Sequence, residues 1–235
     1  MNGLNMMDTW VHVPDDVRVR PIEGMIDWLP FKEKSVLDNE FLIRPARPTD
    51  DDLQGAAETF RRGFPVLYGG AYAVLYDAAV YPDILGAGEH FNAGDNFLMV
   101  AEHLATGSIA GTLMMRMDKQ ERTGEFIIIS IDERFQGKGI GKALFYESEA
   151  YMESCGVEMS YIWITAKHTV TQRLAFDRGF VPKAIIPGVY RSWAGNDSYY
   201  RIEMAYFQKF YGGAEEMCSR KIELIPEAQH LMTSW

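Results

Sequence analysis

The sequence predicts an α/β (α+β) domain in which helices flank both faces of a mixed, mostly antiparallel central sheet. Apolar residues recur with a period of two or of about 3.6 in successive segments, and the order of these segments is βααβββαβαββ. Two pairs of strand-like segments are joined by short polar loops, as in hairpins. The chain has 235 residues, of which 47% are hydrophobic and 24% charged, and this is ordinary for one domain with a real core.

The first elements follow from local signals. A strand is expected at 41–44, immediately before a proline-rich stretch. Thr49 followed by three aspartates is typical of a helix N-terminus, because carboxylates are favourable at the positive end of the helix dipole. Apolar residues then recur at helical spacing to about Gly63. The glycine- and tyrosine-rich segment 64–94 contains a second expected helix, at 72–80.

The remaining elements complete the sheet. Two strands form an expected hairpin, a third strand rich in β-branched residues is expected to be buried on both faces, and a final hairpin closes the domain. Glycines end the two helices between them. In chain order, these elements are predicted at 97–101, 109–117, 125–131, 140–155, 159–165, 169–178, 189–193 and 199–207.

Both ends of the chain are predicted to extend beyond this domain. Residues 1–40 show no lasting periodicity, and we expect an N-terminal extension whose aromatic residues pack in part on the body. The domain itself spans residues 41–207, and residues 208–235 are expected to form a C-terminal tail.

Charge and cysteine content exclude several functional classes. The net charge of −10 argues against broad nucleic-acid binding and favours cationic partners. No apolar run approaches the roughly 20 residues that cross a bilayer, and the N-terminus shows no secretory signal. Cys155 and Cys218 provide neither a disulfide framework nor metal-ligand spacing. We therefore expect a cytoplasmic protein without a metal, a membrane or a nucleic acid as partner.

The most informative segment is a glycine-rich turn between a buried strand and an amphipathic helix. Three alternate glycines, Gly137, Gly139 and Gly141, let the backbone adopt positive φ and approach a ligand closely. The free N–H groups of the first helical turn, together with the helix dipole, form an anion site that suits phosphate. Lys138 and Lys142 add positive charge to a chain that is negative overall.

Three phosphate-binding patterns can be compared at this turn. A P-loop would need glycine at 136 and serine or threonine at 143, where the chain has glutamine and alanine. A dinucleotide fingerprint read from Gly137 would need glycine at 142, where the chain has lysine. The pattern that fits is Q/R-x-x-G-x-G/A, with Gln136, Gly139 and Gly141 at its defined positions.

With this motif the sequence resembles the GNAT family of N-acetyltransferases. The resemblance covers about residues 41–207 and includes the opening strand with its arginine and proline, the strand that begins Ile109-Ala110-Gly111, the glycine turn and the pair Gly179-Phe180. It implies a GNAT-like form of the predicted sheet, acetyl-CoA (coenzyme A) as co-substrate, no metal, and direct transfer of the acetyl group to an amine.

The resemblance also implies which residues would bind the cofactor. In that family, main-chain N–H groups of the turn bind the pyrophosphate, and the exposed backbone of the preceding strand, which splays from its neighbour, pairs with the pantetheine arm. The implied pyrophosphate donors are Gln136, Gly137, Lys138, Gly139, Ile140, Gly141 and Lys142. The implied pantetheine-binding residues are Ile129, Ser130 and Ile131.

The catalytic groups are less clear in the sequence. Members of the family often use an acid on the same strand as general base, and Glu125 is the candidate, the alternative being a solvated strand-end charge. The usual tyrosine acid is replaced by Ala175. The frequent asparagine is replaced by His168, which either binds the cofactor, caps a helix or is solvated. Another phenol substitutes, or the thiolate leaves unassisted, since its pKa is only about 8.5.

The acceptor is expected to enter on the side opposite the cofactor, between the first helices and the last hairpin. We interpret most of the tyrosines in these regions as packing residues and expect two or three to face the acceptor. The candidates are Tyr68, Tyr72, Tyr76, Asp77, Tyr81, Asp83, Tyr190, Trp193, Tyr199 and Tyr200.

Three functions remain open at this level. The first is acetylation of a small amine, the second is acetylation of a protein lysine or N-terminus, and the third is a CoA-binding regulatory module without turnover. Apolar extensions and exposed strand edges also favour a homodimer.

Overall fold

The computed structural model describes residues 15–21, 23–31, 35–65 and 70–219, together with Pro226. Eight strands form one sheet. They are β1 (Ser35–Leu37), β2 (Phe41–Pro45), β3 (Asn96–His103), β4 (Ile109–Asp118), β5 (Thr123–Ile131), β6 (Met159–Thr165), β7 (Val181–Gly195) and β8 (Ser198–Phe210).

In the described part of the chain, four α-helices accompany the sheet, and short 3₁₀ segments link several elements. The α-helices are α1 (Asp50–Gly63), α2 (Tyr81–Leu85), α3 (Ile140–Ser154) and α4 (Thr169–Asp177). The 3₁₀ segments are Ala71–Tyr76, Ala78–Val80, Gly88–His90, Glu133–Phe135 and Ala214–Met217. None of the helices in the described ranges has the length and apolar character of a membrane span.

The sheet is antiparallel except where β5 meets β6. The strand order is β1-β2-β3-β4-β5-β6-β8-β7. The parallel β5–β6 ladder pairs only Thr123–Phe126 with Met159–Ile162, after which the two strands part. A bulge at Ile127, the extra residue of β5 in its pairing with β4, lies where they part. Because a bulge bends its strand and increases the local twist, it accounts for the separation.

Helices cover both faces of the sheet, as predicted, and each face has its own core. Alternate residues of β3 point to opposite sides, so that Met99 joins one core and Val100 the other. The first core lies under α3 and α4 and contains Leu144 and Phe180. The second lies under α1, α2 and the 3₁₀ segments between them and contains Phe60.

Helix α1 begins as the sequence predicts. Thr49 is the N-cap, and its hydroxyl accepts a hydrogen bond from the N–H of Asp52 at 3.5 Å. Asp52 is itself buried and forms a two-pronged ion pair with the buried Arg44 of β2 at 2.5 and 2.8 Å. Glu102 of β3 also accepts from Arg44, at 2.7 Å. This network attaches α1 to the sheet.

A second buried network connects α3 to the far end of the chain. Glu149 of α3 has no exposed surface and pairs with Arg178, just after α4, and with Lys209 of β8, the latter at 2.6 Å. Because an isolated buried carboxylate is unfavourable, these two cations are required partners of Glu149.

The structure differs from the sequence prediction in three places. The helix predicted at 72–80 is two 3₁₀ segments, because Asp77 between them is extended (φ −110°, ψ 115°) and its side chain caps the N–H of Ala79. The last hairpin begins at Val181 rather than 189, and irregular pairing between Ile186 and Tyr190 obscures its alternation. Strand β1 lies within the predicted N-terminal extension and pairs with β2.

Part of the N-terminal segment packs on the body of the domain. The ring of Trp28 lies 4.8 Å from that of Phe97 and 5.7 Å from that of Tyr151. Its indole Nε1 donates to the carbonyl of Gly94 at 2.8 Å. Residues 23–31 therefore cross the core that lies under α3. The predicted C-terminal tail is described to residue 219, and β8 continues into it as far as Phe210.

Candidate functional site

The glycine turn between β5 and α3 forms an open cradle of backbone N–H groups. Gly137 and Gly139 have φ of +79° and +78°, and a Cβ at 137 would meet no atom within 4 Å. Within the described residues, the N–H groups of positions 137–142 donate to no protein acceptor. No side chain caps the start of α3. The cradle therefore fits an anion such as a diphosphate. Gln136 differs, since its N–H donates to the carbonyl of Glu133 at 3.4 Å.

The two lysines of the turn lie at the surface beside this cradle. The ammonium of Lys138 pairs with Glu40, at the end of the β1–β2 turn, at 2.7 Å. That of Lys142 lies 5.3 Å from the ring centroid of Tyr146. Surface ion pairs are weak, so Lys138 can exchange Glu40 for a more highly charged anion.

Asp132 anchors the start of the turn. Its side chain is 1% exposed and accepts hydrogen bonds from the backbone N–H and guanidinium of Arg134 and from Arg62 of α1. Hydrogen bonding to the side chain of Arg134 is the main cause that lowers the pKa of Asp132, to about 2. A carboxylate with so low a pKa is a poor base, and Asp132 is a structural anchor of the turn.

The edge of β5 that faces the gap presents backbone groups of Ile129 and Ile131. The N–H of Asp132 donates to the carbonyl of Ala110, across β4, at 3.0 Å. Because backbone groups alternate in direction along a strand, those of Ser130 also point to β4, while those of Ile129 and Ile131 point toward β6. The hydroxyl of Ser130 is buried and donates to the carbonyl of Thr59 at 3.0 Å.

The end of α1 covers part of this edge. A Cβ at Gly63 would lie 2.4 Å from the carbonyl oxygen of Ile131. Glycine is therefore required at 63 for the helix to approach so closely. Of the three residues predicted to bind pantetheine, Ile129, Ser130 and Ile131, Ile129 therefore has the most accessible backbone on the side of the gap.

Glu125 lies in the part of β5 that is still paired with β6, two residues before the bulge at Ile127. Its side chain is 7% exposed and forms an ion pair with Arg116, the residue opposite on β4. The hydroxyl of Tyr161, the residue opposite on β6, donates to the same carboxylate at 3.3 Å. Three side chains on three adjacent strands thus form one row, on the face that α1 covers.

A cavity of about 350 Å³ opens beside this row. It runs from Glu125 toward the turn that joins β4 to β5. Its lining residues are Asp95, Arg116, Met117, Asp118, Lys119, Thr123, Glu125 and Tyr161. Among the described residues, no group of three or more His, Cys, Asp or Glu is placed to hold a metal ion.

Aromatic side chains surround the same row. Ring centroids are 5.7 Å apart for Tyr161 and Tyr206 and 4.8 Å apart for Trp163 and Tyr206. Tyr72 lies 5.8 Å from Tyr190. Burial, followed by the hydrogen bond with Tyr190, raises the pKa of the Tyr72 hydroxyl. Tyr72 is therefore a neutral hydrogen-bonding group near the carboxylate of Glu125.

Comparison with known proteins agrees with this geometry. Residues 68–180 match the model of the acetyltransferase (GNAT) family. This segment is a GNAT acetyltransferase domain. A search of curated protein sequences finds no match to the chain.

Solved structures with the same fold include GNAT proteins with different acceptors in their names. A putative phosphinothricin N-acetyltransferase is 19% identical, with a TM-score of 0.56, and the match covers 72% of this chain and 98% of that one. The ribosomal-protein-S18-alanine N-acetyltransferase of Escherichia coli is 15% identical, with a TM-score of 0.55, covering 78% and 99%. The ribosomal-protein-S5-alanine acetyltransferase of Vibrio fischeri is 13% identical, with a TM-score of 0.57, covering 77% and 98%. These likenesses concern the fold.

The two departures from the GNAT pattern have clear structural positions. Ala175 has no exposed surface and belongs to the core under α3 and α4, so position 175 faces packing rather than a ligand. His168 is the N-cap of α4, and its Nδ1 accepts from the N–H of Thr171 at 3.3 Å. The capping interpretation of His168 is confirmed. The hydroxyl Oγ1 of Thr171 lies 2.6 Å from the same Nδ1.

The predicted acceptor residues separate into two groups. Tyr72 and Tyr190 contact each other beside Glu125. Tyr81 is fully buried and donates to the carbonyl of Leu75 at 2.9 Å, so it is a packing residue. Other predicted residues pack elsewhere or lie at exposed positions: Tyr76, Asp77, Asp83, Trp193, Tyr199 and Tyr200. Tyr68 lies outside the described residues.

The sequence analysis missed four residues of the site, namely Arg116, Tyr161, Trp163 and Tyr206. Arg116 could have been found from the sequence, because counting outward from the turn at 119–122 places it opposite Glu125. The period-two spacing of Tyr161 and Trp163 indicates a shared face, but which face borders the acceptor depends on the sheet order.

Proposed function

We propose that this chain is an acetyl-CoA-dependent N-acetyltransferase that transfers the acetyl group directly to the amine of a small molecule. The observation that carries the proposal is the gap between β5 and β6, which lies between the N–H cradle and the face with Glu125. A thioester arm that extends from the cradle along the open edge of β5 would bring its reactive end toward this cavity.

Residues of this chain provide the groups that such a transfer needs. Residues 137–142 would bind the diphosphate, and the more accessible backbone of Ile129 would pair with a pantetheine amide as an added strand does. A backbone N–H at this edge would polarise the thioester carbonyl. The thioester supplies an activated acetyl group.

Glu125 is the proposed base. An alkyl amine with a pKa of about 10 is mostly protonated at neutral pH, so the site must remove a proton before attack. Glu125 is the buried carboxylate of the cavity nearest to the gap, and Arg116 and Tyr161 hold it in place. The core position of Ala175 supports departure of the thiolate without a tyrosine acid at this site.

A small acceptor is favoured by the size of the cavity, about 350 Å³, whereas a protein acceptor is the second candidate. The observation that favours the second is the exposed aromatic tip of the last hairpin, where Trp193, Tyr199 and Tyr200 are 39, 56 and 47% exposed. An exposed aromatic surface of this kind is suited to contact with a polypeptide.

Calorimetric titration with acetyl-CoA tests the cradle. Gly139→Glu should abolish binding, because a carboxylate side chain would occupy the diphosphate position. Gly88→Glu is the matched control. Gly88 also has positive φ (+57°), its Cβ would meet nothing within 4 Å, and it lies near the start of β3, at the other end of the sheet. Normal affinity in Gly139→Glu would remove the cradle assignment.

Mass spectrometry of products tests the reaction. The protein is incubated with acetyl-CoA and a panel of amino acids, polyamines and peptides, and acetylated products are identified. Glu125→Gln should lower turnover by about 100-fold or more while acetyl-CoA affinity is kept. Glu121→Gln, an exposed acid of the same hairpin, is the control. Unchanged turnover in Glu125→Gln would remove its role as base, and acetylated peptides without small products would favour the protein acceptor.

A further inference from the structure

The chemistry of the cavity beside Glu125 indicates which small amine would bind there. Its end near the gap is formed by Arg116, Glu125 and Tyr161. Its other end, formed by Asp95 and Asp118, lies about 7 Å further from the gap, two residues along the strands. The ends therefore differ in charge, with a cation and an anion together at the reacting end, and two carboxylates beside Lys119, whose charge is paired with Asp27, at the far end.

Of the two cations that line the cavity in the described ranges, Lys119 and Arg116, the guanidinium of Arg116 has more donors to offer a ligand. The ammonium of Lys119 is engaged by Asp27 at 2.7 Å and by the carbonyl of Ala93 at 2.8 Å. The side chain of Arg116 is 53% exposed and pairs with Glu125 through Nη2. A guanidinium has five N–H donors, so Arg116 can hold Glu125 and a second anion together.

Arg116 and Glu125 place opposite charges in direct contact at the wall of the cavity. An α-amino acid carries an ammonium and a carboxylate on one carbon atom, so its two charges complement this pair. Its carboxylate would lie on Arg116 and its amine beside Glu125, two residues from the bulge where the strands part. The carboxylates of Asp95 and Asp118 oppose the reverse orientation.

We propose, on the basis of the acetyltransferase function above, that the acceptor is a small α-amino acid or an amine with an equivalent adjacent anionic group, and that Arg116 is the specificity residue that binds this group. A purely apolar amine would leave the remaining donors of Arg116 without a partner on the ligand, and a site with polar groups placed for a ligand group discriminates against an analogue that lacks it.

Matched pairs of acceptors test the proposal. Each protein amino acid is compared with the amine that remains after removal of its carboxylate, such as leucine with 3-methylbutylamine, by kcat/KM at saturating acetyl-CoA. The wild-type protein should prefer the best acid over its matched amine by about 10- to 100-fold, the range for a charge-assisted hydrogen-bonded pair. Arg116→Gln should reduce this preference to less than about 3-fold, and Arg116→Lys should retain part of it.

Lys119→Gln is the control variant. It removes a positive charge from the same cavity, but Asp27 already engages this charge, so the preference for the acid should persist. Because Arg116 also holds Glu125, its replacement lowers activity toward every acceptor. The preference is therefore measured as the ratio of kcat/KM for the acid to kcat/KM for its matched amine, and this ratio is compared between variant and wild-type protein, so that a general loss of activity cancels. Calorimetric titration of the acid into the CoA complex gives a readout without turnover and should show the same loss of affinity in Arg116→Gln.

The outcomes distinguish this proposal from the proposed function. Equal acetylation of acids and matched amines by the wild-type protein overturns the specificity while the acetyltransferase function stands. Acetylation of polyamines or peptides, with no amino acid acetylated or bound, would likewise overturn the amino-acid specificity and leave the acetyltransferase function standing. An unchanged preference in Arg116→Gln also overturns the role of Arg116. Failure of the proposed function would instead appear as absent CoA binding or absent turnover with the entire panel.

Discussion

Replacement of Asp132 by asparagine is expected to destabilise the protein in a pH-dependent manner. Asp132 joins the end of β5 to the glycine turn, and its buried carboxylate accepts from Arg134 and Arg62. Asparagine keeps an oxygen for the backbone N–H of Arg134 but removes the charge that both guanidinium groups bind.

The magnitude follows from the pKa. Hydrogen bonding to Arg134 lowers the pKa of Asp132 from 3.8 to about 2. A shift of this size corresponds to about 2 kcal/mol. The two arginine side chains are 54 and 39% exposed, so screening by solvent reduces the expected loss in D132N to about 1–2 kcal/mol at neutral pH. Since the folded pKa lies below the unfolded one, this stabilisation is complete above about pH 4 and disappears as the pH falls toward 2.

Urea denaturation followed by circular dichroism at pH 7, 5, 4 and 3 measures this effect. The difference in unfolding free energy between the wild-type protein and D132N should be constant at pH 7 and 5 and smaller at pH 3. Glu133→Gln removes an adjacent exposed charge and should change stability by less than about 0.5 kcal/mol. A difference at pH 3 equal to that at pH 7, or no difference at all, would refute the reasoning.

Three further predictions concern stability, measured by urea denaturation or thermal melting. Glu149→Gln leaves its two cationic partners without a buried anion and should cost about 3 kcal/mol, whereas Glu153→Gln on the exposed side of α3 should cost almost nothing; equal losses would contradict this. Gly141→Ala should stabilise by up to about 1 kcal/mol, since its Cβ would meet Ile131 at an ordinary 3.6 Å, whereas Gly139→Ala should destabilise by about 1–2 kcal/mol because of its positive φ. Trp28→Ala should cost about 2 kcal/mol, and an unchanged melting temperature would show that residues 23–31 do not stabilise the core.

Elements with strong local signals were predictable. Thr49 and its aspartates located the start of α1, and the alternate glycines located the turn before α3. The structure of segment 72–80 was not predictable, because the extended Asp77 interrupts a pattern that otherwise has helical spacing. Strand β1 could not be found either, because three residues carry no periodicity and become a strand only through pairing with β2.

The candidate site shows the same division. The cradle is a continuous run of residues, so the sequence alone identified it. Arg116, Tyr161 and Tyr206 lie on three different strands, and their meeting around Glu125 depends on strand order and register.

By itself, the sequence determined the local properties of this protein: helix caps, backbone freedom in the turn, free N–H groups at the start of α3 and an acid on β5. Each depends on neighbours within a few residues, which covalent connectivity brings together. Only the tertiary structure decided that β5 and β6 separate at Ile127 and that Arg116 meets Glu125 beside a cavity. These features arise from pairing between distant segments, where a shift of one residue would move every side chain to the opposite face.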